Sequence, residues 1–186
     1  MQNNKEEITT YTDAFDKLAE GLISTDGTRY VGDFHSFLKD VWAQSFDHPE
    51  YFNAWHIGVL AEDIERCLEE EKNYVAILPR FHFKSTILGH AFSVWRLLQA
   101  PRDMSVLYLS FSDSMARYHL AEINKTVQRN PILQKWMVNR SPKADFSFRY
   151  YINKNPMEIM HGGLFSFKRG MHVNGALIAD DVLRDP

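Results

Sequence analysis

The sequence predicts an α/β fold, a parallel sheet flanked by helices, with a helical region ahead of it. Three observations carry this expectation. Residues 74–78, 106–110 and 176–179 form short apolar runs, as expected of strands buried on both faces. Between the first two runs, and again after the second, apolar residues recur at helical spacing. Strand and helix alternating along a chain is the pattern of a parallel sheet with helical crossovers.

Size and composition agree with one compact unit. The chain has 186 residues, 45% hydrophobic and 13% aromatic, which is ample for a buried core and argues against disorder. Its 21 basic and 24 acidic residues give a net charge of -3, so it lacks the basic excess common in proteins that live on nucleic acid. Contact with nucleic acid would have to be local, or made by other subunits or parts. The single cysteine, Cys67, excludes an internal disulfide framework and a cysteine-based zinc site, and suits a reducing compartment. Residues 1–10 are polar and acidic, unlike a signal peptide. No apolar run approaches the roughly 20 residues that cross a bilayer. The expectation is a soluble intracellular protein.

Taken in order, the elements read as follows. Residues 8–23 suit a helix closed near Gly21. Phe34, Phe37, Leu38, Val41 and Trp42 predict an amphipathic helix, and Pro49 punctuates the loop after it. Ile57, Leu60, Ala61, Ile64 and Leu68 share the face of a third helix. Strand 74–78 ends at Pro79; a helix over 85–99 is stopped by Pro101. Strand 106–110 leads to a helix over 113–129 with Met115, Leu120, Ile123 and Val127 facing inward. Asn130-Pro131 breaks that helix, and a short one follows towards Val138. Alternation over 146–150, 157–160 and 164–167, with turns at 153–156 and Gly162-Gly163, predicts short strands in a meander. The last strand, Ala176-Leu177-Ile178-Ala179, runs into Asp180-Asp181. We divide the chain into a helical region over 1–50 and an α/β domain over 51–186.

Two motifs carry chemistry. The first buried strand runs into Pro79-Arg80-Phe81-His82-Phe83-Lys84-Ser85-Thr86, which opens a helix. A loop in that position presents backbone N–H groups and the positive end of a helix to an anion. Lys84 would reach the β- and γ-phosphates of a nucleoside triphosphate, Ser85 would hold Mg²⁺ through its hydroxyl, and Thr86 would support the loop or an α-phosphate. The usual Gly-x-x-x-x-Gly-Lys-[Ser/Thr] pattern fails at both glycines, where Leu78 and Phe83 stand. Phe83 cannot adopt a positive φ as cheaply as glycine. Taken alone, the segment also fits an ordinary helix start.

The second motif is the apolar strand that delivers Asp180 and Asp181 to its carboxyl end. Asp180 would hold Mg²⁺, and Asp181 would polarise an attacking water. Taken alone, the two acids also fit a capped turn. Ligands of open α/β sheets gather at the carboxyl ends of strands. A lysine loop and a paired acid, each at such an end, are together what a P-loop ATPase needs, with ATP and Mg²⁺ as its ligands. The fold expected is therefore a P-loop NTPase sheet of the type with an additional catalytic acid (ASCE), incomplete at its C-terminus.

At these residues the chain resembles the large subunit of tailed-phage terminases, whose deviant loop commonly reads Pro-Arg-Gly-His-x-Lys-Ser-Thr. Pro79, Arg80, His82, Lys84, Ser85 and Thr86 match it; Phe81 replaces the frequent glycine, and Phe83 resembles a substitution the group tolerates. Phe52, Trp55, His56 and Ile57 are similar to the segment upstream of the loop, and Lys168-Arg169-Gly170 to Asp181 is similar to the family's Arg-Gly segment leading into Leu-Ile-x-Asp-Asp. The resemblance spans roughly residues 52–186 and is specific only in the two motifs. It implies an ATPase that drives double-stranded DNA into procapsids. It also implies a homo-oligomeric ring, usually a pentamer, working with a portal protein and a small terminase subunit in the host cytoplasm, docked on procapsids and without a membrane. The family's nuclease domain and the coupling motif after the second acidic strand are not expected in these residues, which suits a fragment or a split-gene product.

Single residues follow from the same reading. The resemblance implies that Arg80 senses or stabilises the γ-phosphate, and a guanidinium fork suits phosphate oxygens. Arg169 is an arginine-finger candidate, and a solvated turn residue is the equal alternative. His82 orders the loop or is simply exposed. Trp55 and His56 would flank an adenine or belong to the core. Lys125, Arg129, Lys135 and Arg140 would touch DNA phosphates or form a solvated face. Two other classes of function remain open. One is a helicase-like translocase of the same P-loop class. The other is an inactive fragment that serves only as an interaction module.

Overall fold

The computed structural model describes residues 21–22, 30–99, 104–136, 148–152, 155–166, 170 and 172–182. The helix expected over 8–23 therefore lies largely outside the described residues. An N-terminal helical segment begins as α1 (Phe34–Ser36), whose first turn is capped by Asp33 accepting from the Ser36 amide. It continues through a π-helical stretch, Phe37–Val41, into a 3-10 stretch, Trp42–Ser45. All five apolar residues that predicted this helix are fully closed to solvent. Helix α2 (Trp55–Glu69) buries Ile57, Leu60, Ala61 and Ile64, with Leu68 packed against the core. The next helix starts as a π-helical turn, Ser85–Ala91, and continues as α3 (Phe92–Leu98).

Strand β1 (Met104–Ser110) leads to α4 (Asp113–Arg129), which is capped by Ser112 accepting from the Met115 amide. A short α5 (Leu133–Trp136) follows. Strands β2 (Phe148–Ile152), β3 (Asn155–Gly163) and β4 (Ala176–Ala179) complete a four-stranded sheet of order β2-β3-β1-β4. β1 pairs parallel with β3 and with β4, while β2 is antiparallel to β3 at the edge. The architecture is thus α/β, with three parallel strands and helices packed against them. One core joins Phe34, Phe37 and Trp42 of the N-terminal segment to Trp95 of α3, Val106 and Tyr108 of β1, and Ile123 of α4. Among the described residues no helix is long and apolar enough to cross a membrane.

Four expectations need correction. Residues 74–78 form no regular element and join no strand ladder among the described residues. Val75 and Ile77 are 81% and 92% exposed, and a cleft of about 600 Å³ separates the segment from β4. An apolar run reports a strand's taste for burial; it does not supply the neighbour that would bury it. Met115 is 37% exposed, because Ala116, one position on, takes the inward direction with Leu120, Ile123 and Val127. Gly162-Gly163 does not form the expected turn; both residues pair in β3. A Cβ on Gly163 would lie 2.7 Å from the Asp113 backbone nitrogen, so glycine there lets the start of α4 approach the strand. As a result residues 164–166 form the turn, not a further strand.

Candidate functional site

Lys84 and the two aspartates meet although 97 residues separate Lys84 from Asp181. Lys84 Nζ donates to Asp181 Oδ1 at 2.6 Å and lies 3.8 Å from Asp180 Oδ1. The hydrogen bond to Asp181 and the charge of both carboxylates raise the lysine pKa, against the opposing effect of burial. β4 delivers the acids: the Asp180 amide donates to the Leu109 carbonyl at 2.9 Å, carrying the chain one residue past the ladder. Asp180 is buried and Asp181 exposed, the latter with φ 45°, a region in which aspartate is better tolerated than most residues.

The loop is left-handed at two positions, although neither holds a glycine. Phe81 has φ 66° and Phe83 φ 56°, the left-handed region. A non-glycine residue held there costs about 1–2 kcal/mol, and such outliers persist only where surrounding structure enforces them. At Phe83 the enforcement is visible. Its ring packs 5.8 Å from Phe52, which packs 5.1 Å from Phe46, which packs 6.3 Å from Trp42. This file of rings ties the loop to the core. From Phe83 the carbonyl accepts from the Ile87 amide at 2.8 Å, so the helical turn starts directly at the lysine.

Among the described residues Phe81 has no such ring contact, and it is 98% exposed. Phe81→Gly relieves the backbone without losing packing. Glycine's extra freedom in the unfolded chain offsets about 0.5–1 kcal/mol of that relief. We expect a net stabilisation of about 0.5–1 kcal/mol, read as a higher urea midpoint at unchanged slope. A lower midpoint would mean that the Phe81 backbone is not strained. Phe83→Gly loses its ring contacts and is not expected to stabilise.

The other expected site residues fall around this centre. Arg80 is exposed, and among the described residues it pairs with no carboxylate. The His82 ring nitrogen Nδ1 meets the Arg80 carbonyl at 2.9 Å, so this histidine braces the loop's own backbone. Ser85 and Thr86 are half-buried at the first turn of the helix. A cleft of about 1300 Å³ is lined by residues 78–86 together with Phe111 and Asp181. His56 lies beside the loop, 5.9 Å from the His82 ring, whereas Trp55 is 81% exposed and outside the core. Lys125 is paired with Glu122 at 2.7 Å, as a solvated helix face would be. Arg169 and Arg140 lie outside the described residues.

Behind Asp180 sits a polar layer that the sequence reading missed. Tyr108, in the middle of β1, donates its hydroxyl to Asp180 Oδ2 at 2.7 Å. Burial first, and then the charge of Asp180, push that phenol far above its ordinary pKa, so it remains a donor. The His119 ring stacks on Tyr108 at 5.2 Å, and His119 Nδ1 meets His90 Nε2 at 2.9 Å. Burial pushes His90 down to about 4 and also lowers His119. The signal available in the sequence was a tyrosine inside an otherwise aliphatic run, since a buried phenol seeks a partner.

The oxygen set fits Mg²⁺, a hard cation that takes one or two carboxylates and keeps the rest of its shell for water and phosphate. With Oδ2 of Asp180 held by Tyr108, Oδ1 is the oxygen nearer the loop lysine. Comparison with protein-family models, with curated proteins and with solved structures returns no match.

Proposed function

We propose that this chain binds and hydrolyses ATP with Mg²⁺, as the nucleotide pocket of a viral DNA-packaging motor. One observation carries the nucleotide reading: the loop lysine meets the paired acids, remote in sequence, at 2.6 Å from Asp181 and 3.8 Å from Asp180, on a loop left-handed at Phe83, the motif's second glycine position. The packaging role rests on the likeness of Pro79, Arg80, His82, Lys84, Ser85 and Thr86 to the terminase loop.

In this reading Lys84 exchanges its carboxylate partner for the β- and γ-phosphate oxygens. Asp180 and the Ser85 hydroxyl hold the metal, which when bound neutralises charge developing on the phosphates. Released from Lys84, Asp181 orients and polarises the attacking water for in-line displacement. Arg80, which has no carboxylate to leave among the described residues, turns its fork to the γ-phosphate. Double-stranded DNA, the portal protein, the small subunit and sister copies in a ring are the partners that the role requires, and the host cytoplasm is its setting.

The direct test is a thermal melt with and without Mg-ATP. Ligand at about 100 times its Kd stabilises a folded protein by about 2.7 kcal/mol, a shift of roughly 5–10 °C for a chain of this size. A midpoint indifferent to millimolar Mg-ATP would sink the nucleotide reading and leave an interaction module.

A further inference from the structure

Asp180 is the one acid of the pair that is buried, and its carboxylate is not free to turn. Tyr108 Oη donates to Oδ2 at 2.7 Å from the neighbouring strand, on a register that sets Tyr108 opposite Ile178, two residues before the acid. The phenol is itself immobilised. His119 stacks on one side of its ring, and His90 fixes His119 at 2.9 Å. Gly89 leaves the space that the hydroxyl occupies, for a Cβ there would lie 2.7 Å from Tyr108 Oη. Gly89 belongs to the same helical turn that Lys84 opens, so the loop's helix and the phenol are fitted to each other.

We propose that Tyr108 is a positioning residue for metal binding: by holding Oδ2 of Asp180 it presents Oδ1 to the cation, with Gly89 and His119 keeping the phenol in place. The inference rests on reading the pocket as a Mg-nucleotide site. A free carboxylate samples several rotamers and can offer either oxygen; one pinned through Oδ2 offers a single oxygen in one direction, and outer partners of this kind contribute about 10–100-fold to metal affinity. The donor must be a neutral hydroxyl, because a lysine or arginine in its place would compete with the cation for the carboxylate's charge.

The experiment follows Mn²⁺ binding by electron paramagnetic resonance in the presence of ADP, on the 186-residue chain. Tyr108→Phe deletes the hydroxyl and keeps the ring and its stack. Gly89→Ala keeps the hydroxyl and displaces it. Both are expected to weaken Mn²⁺ affinity by about tenfold or more, while ADP binding without metal stays as in the parent. In an Asp180→Ala background Tyr108→Phe is expected to add nothing, since its effect runs through that acid. A purely structural tyrosine would lower the melting midpoint but leave this metal dependence and its non-additivity unmoved. If Asp180→Ala abolishes Mn²⁺ binding while Tyr108→Phe and Gly89→Ala bind like the parent, the positioning role is overturned and the pocket stands. Should Tyr108→Phe not fold, parent-like binding by Gly89→Ala alone overturns it. If the parent binds Mn²⁺ with ADP no better than Asp180→Ala does, the nucleotide reading fails, and the inference fails with it.

Discussion

Lys84→Ala is expected to reduce ATP turnover by at least about 10²–10³-fold, the scale on which removing one preorganised donor to a developing negative charge acts. The expectation follows from where the lysine sits. Its ammonium is the one cation within ion-pair distance of both acids among the described residues, and it lies at the start of a helix whose first residues, Ser85 and Thr86, line the same cleft. The fold should survive the change. Asp181, its closer partner, is 70% exposed on its side chain, and pairs of that kind contribute about 0–1 kcal/mol. A melt within a few degrees of the parent together with lost turnover would therefore locate the defect in chemistry. Asp181→Asn separates the roles further: it removes the group that orients water but leaves the lysine and Asp180, so nucleotide should still bind while turnover falls. Parent-like turnover by Lys84→Ala would sink the assignment.

Much of this centre was legible in the sequence, because each part is a local pattern. The lysine loop at the start of a helix and the apolar strand that ends in paired acids can each be read from adjacent residues, and the rule that ligands gather at strand carboxyl ends marks Asp180 and Asp181. Helix α4 was legible to its ends because Ser112 caps it and Asn130-Pro131 stops it. What stayed hidden depends on partners distant in sequence. Residues 74–78 carry the composition of a central strand, yet composition cannot name the strand beside it. The strain at Phe83 also inverts a sequence rule: a phenylalanine at a glycine position argued against a left-handed turn, whereas the backbone adopts one there regardless. At Phe83 the aromatic file from Trp42 compensates, and each of those rings reads in sequence only as a hydrophobic residue. Tyr108 is hidden for the same reason, since its partner Asp180 lies 72 residues away.

The largest effect on stability is expected at Asn130, which the sequence marks merely as a helix breaker. Its side chain is fully buried and uses both ends. Nδ2 donates to the Val41 carbonyl at 2.7 Å and to Ser45 Oγ at 2.8 Å, and Oδ1 accepts from the amides of Ile132 and Leu133 at 3.0 and 2.9 Å. One residue thus caps the turn that leads into α5 and ties it to the N-terminal helical segment. Asn130→Ala strips the partner from a carbonyl and two amides in the interior. Each such loss costs about 1–3 kcal/mol, and removal of an asparagine cap costs about 0.5–2 kcal/mol, contributions that overlap because the cap is one of the same bonds. A total of about 3–5 kcal/mol is a large share of the roughly 5–15 kcal/mol that holds an ordinary domain folded, and corresponds to a midpoint lowered by about 10 °C. Ser45→Ala removes the least buried of the four bonds and should cost under about 1.5 kcal/mol. Asn130→Asp keeps the acceptor for Ile132 and Leu133 but sets an oxygen against the Val41 carbonyl, so it should remain strongly destabilised. If Asn130→Ala instead melts with the parent, the N-terminal helical segment does not depend on this tie and is held by its aromatic packing alone.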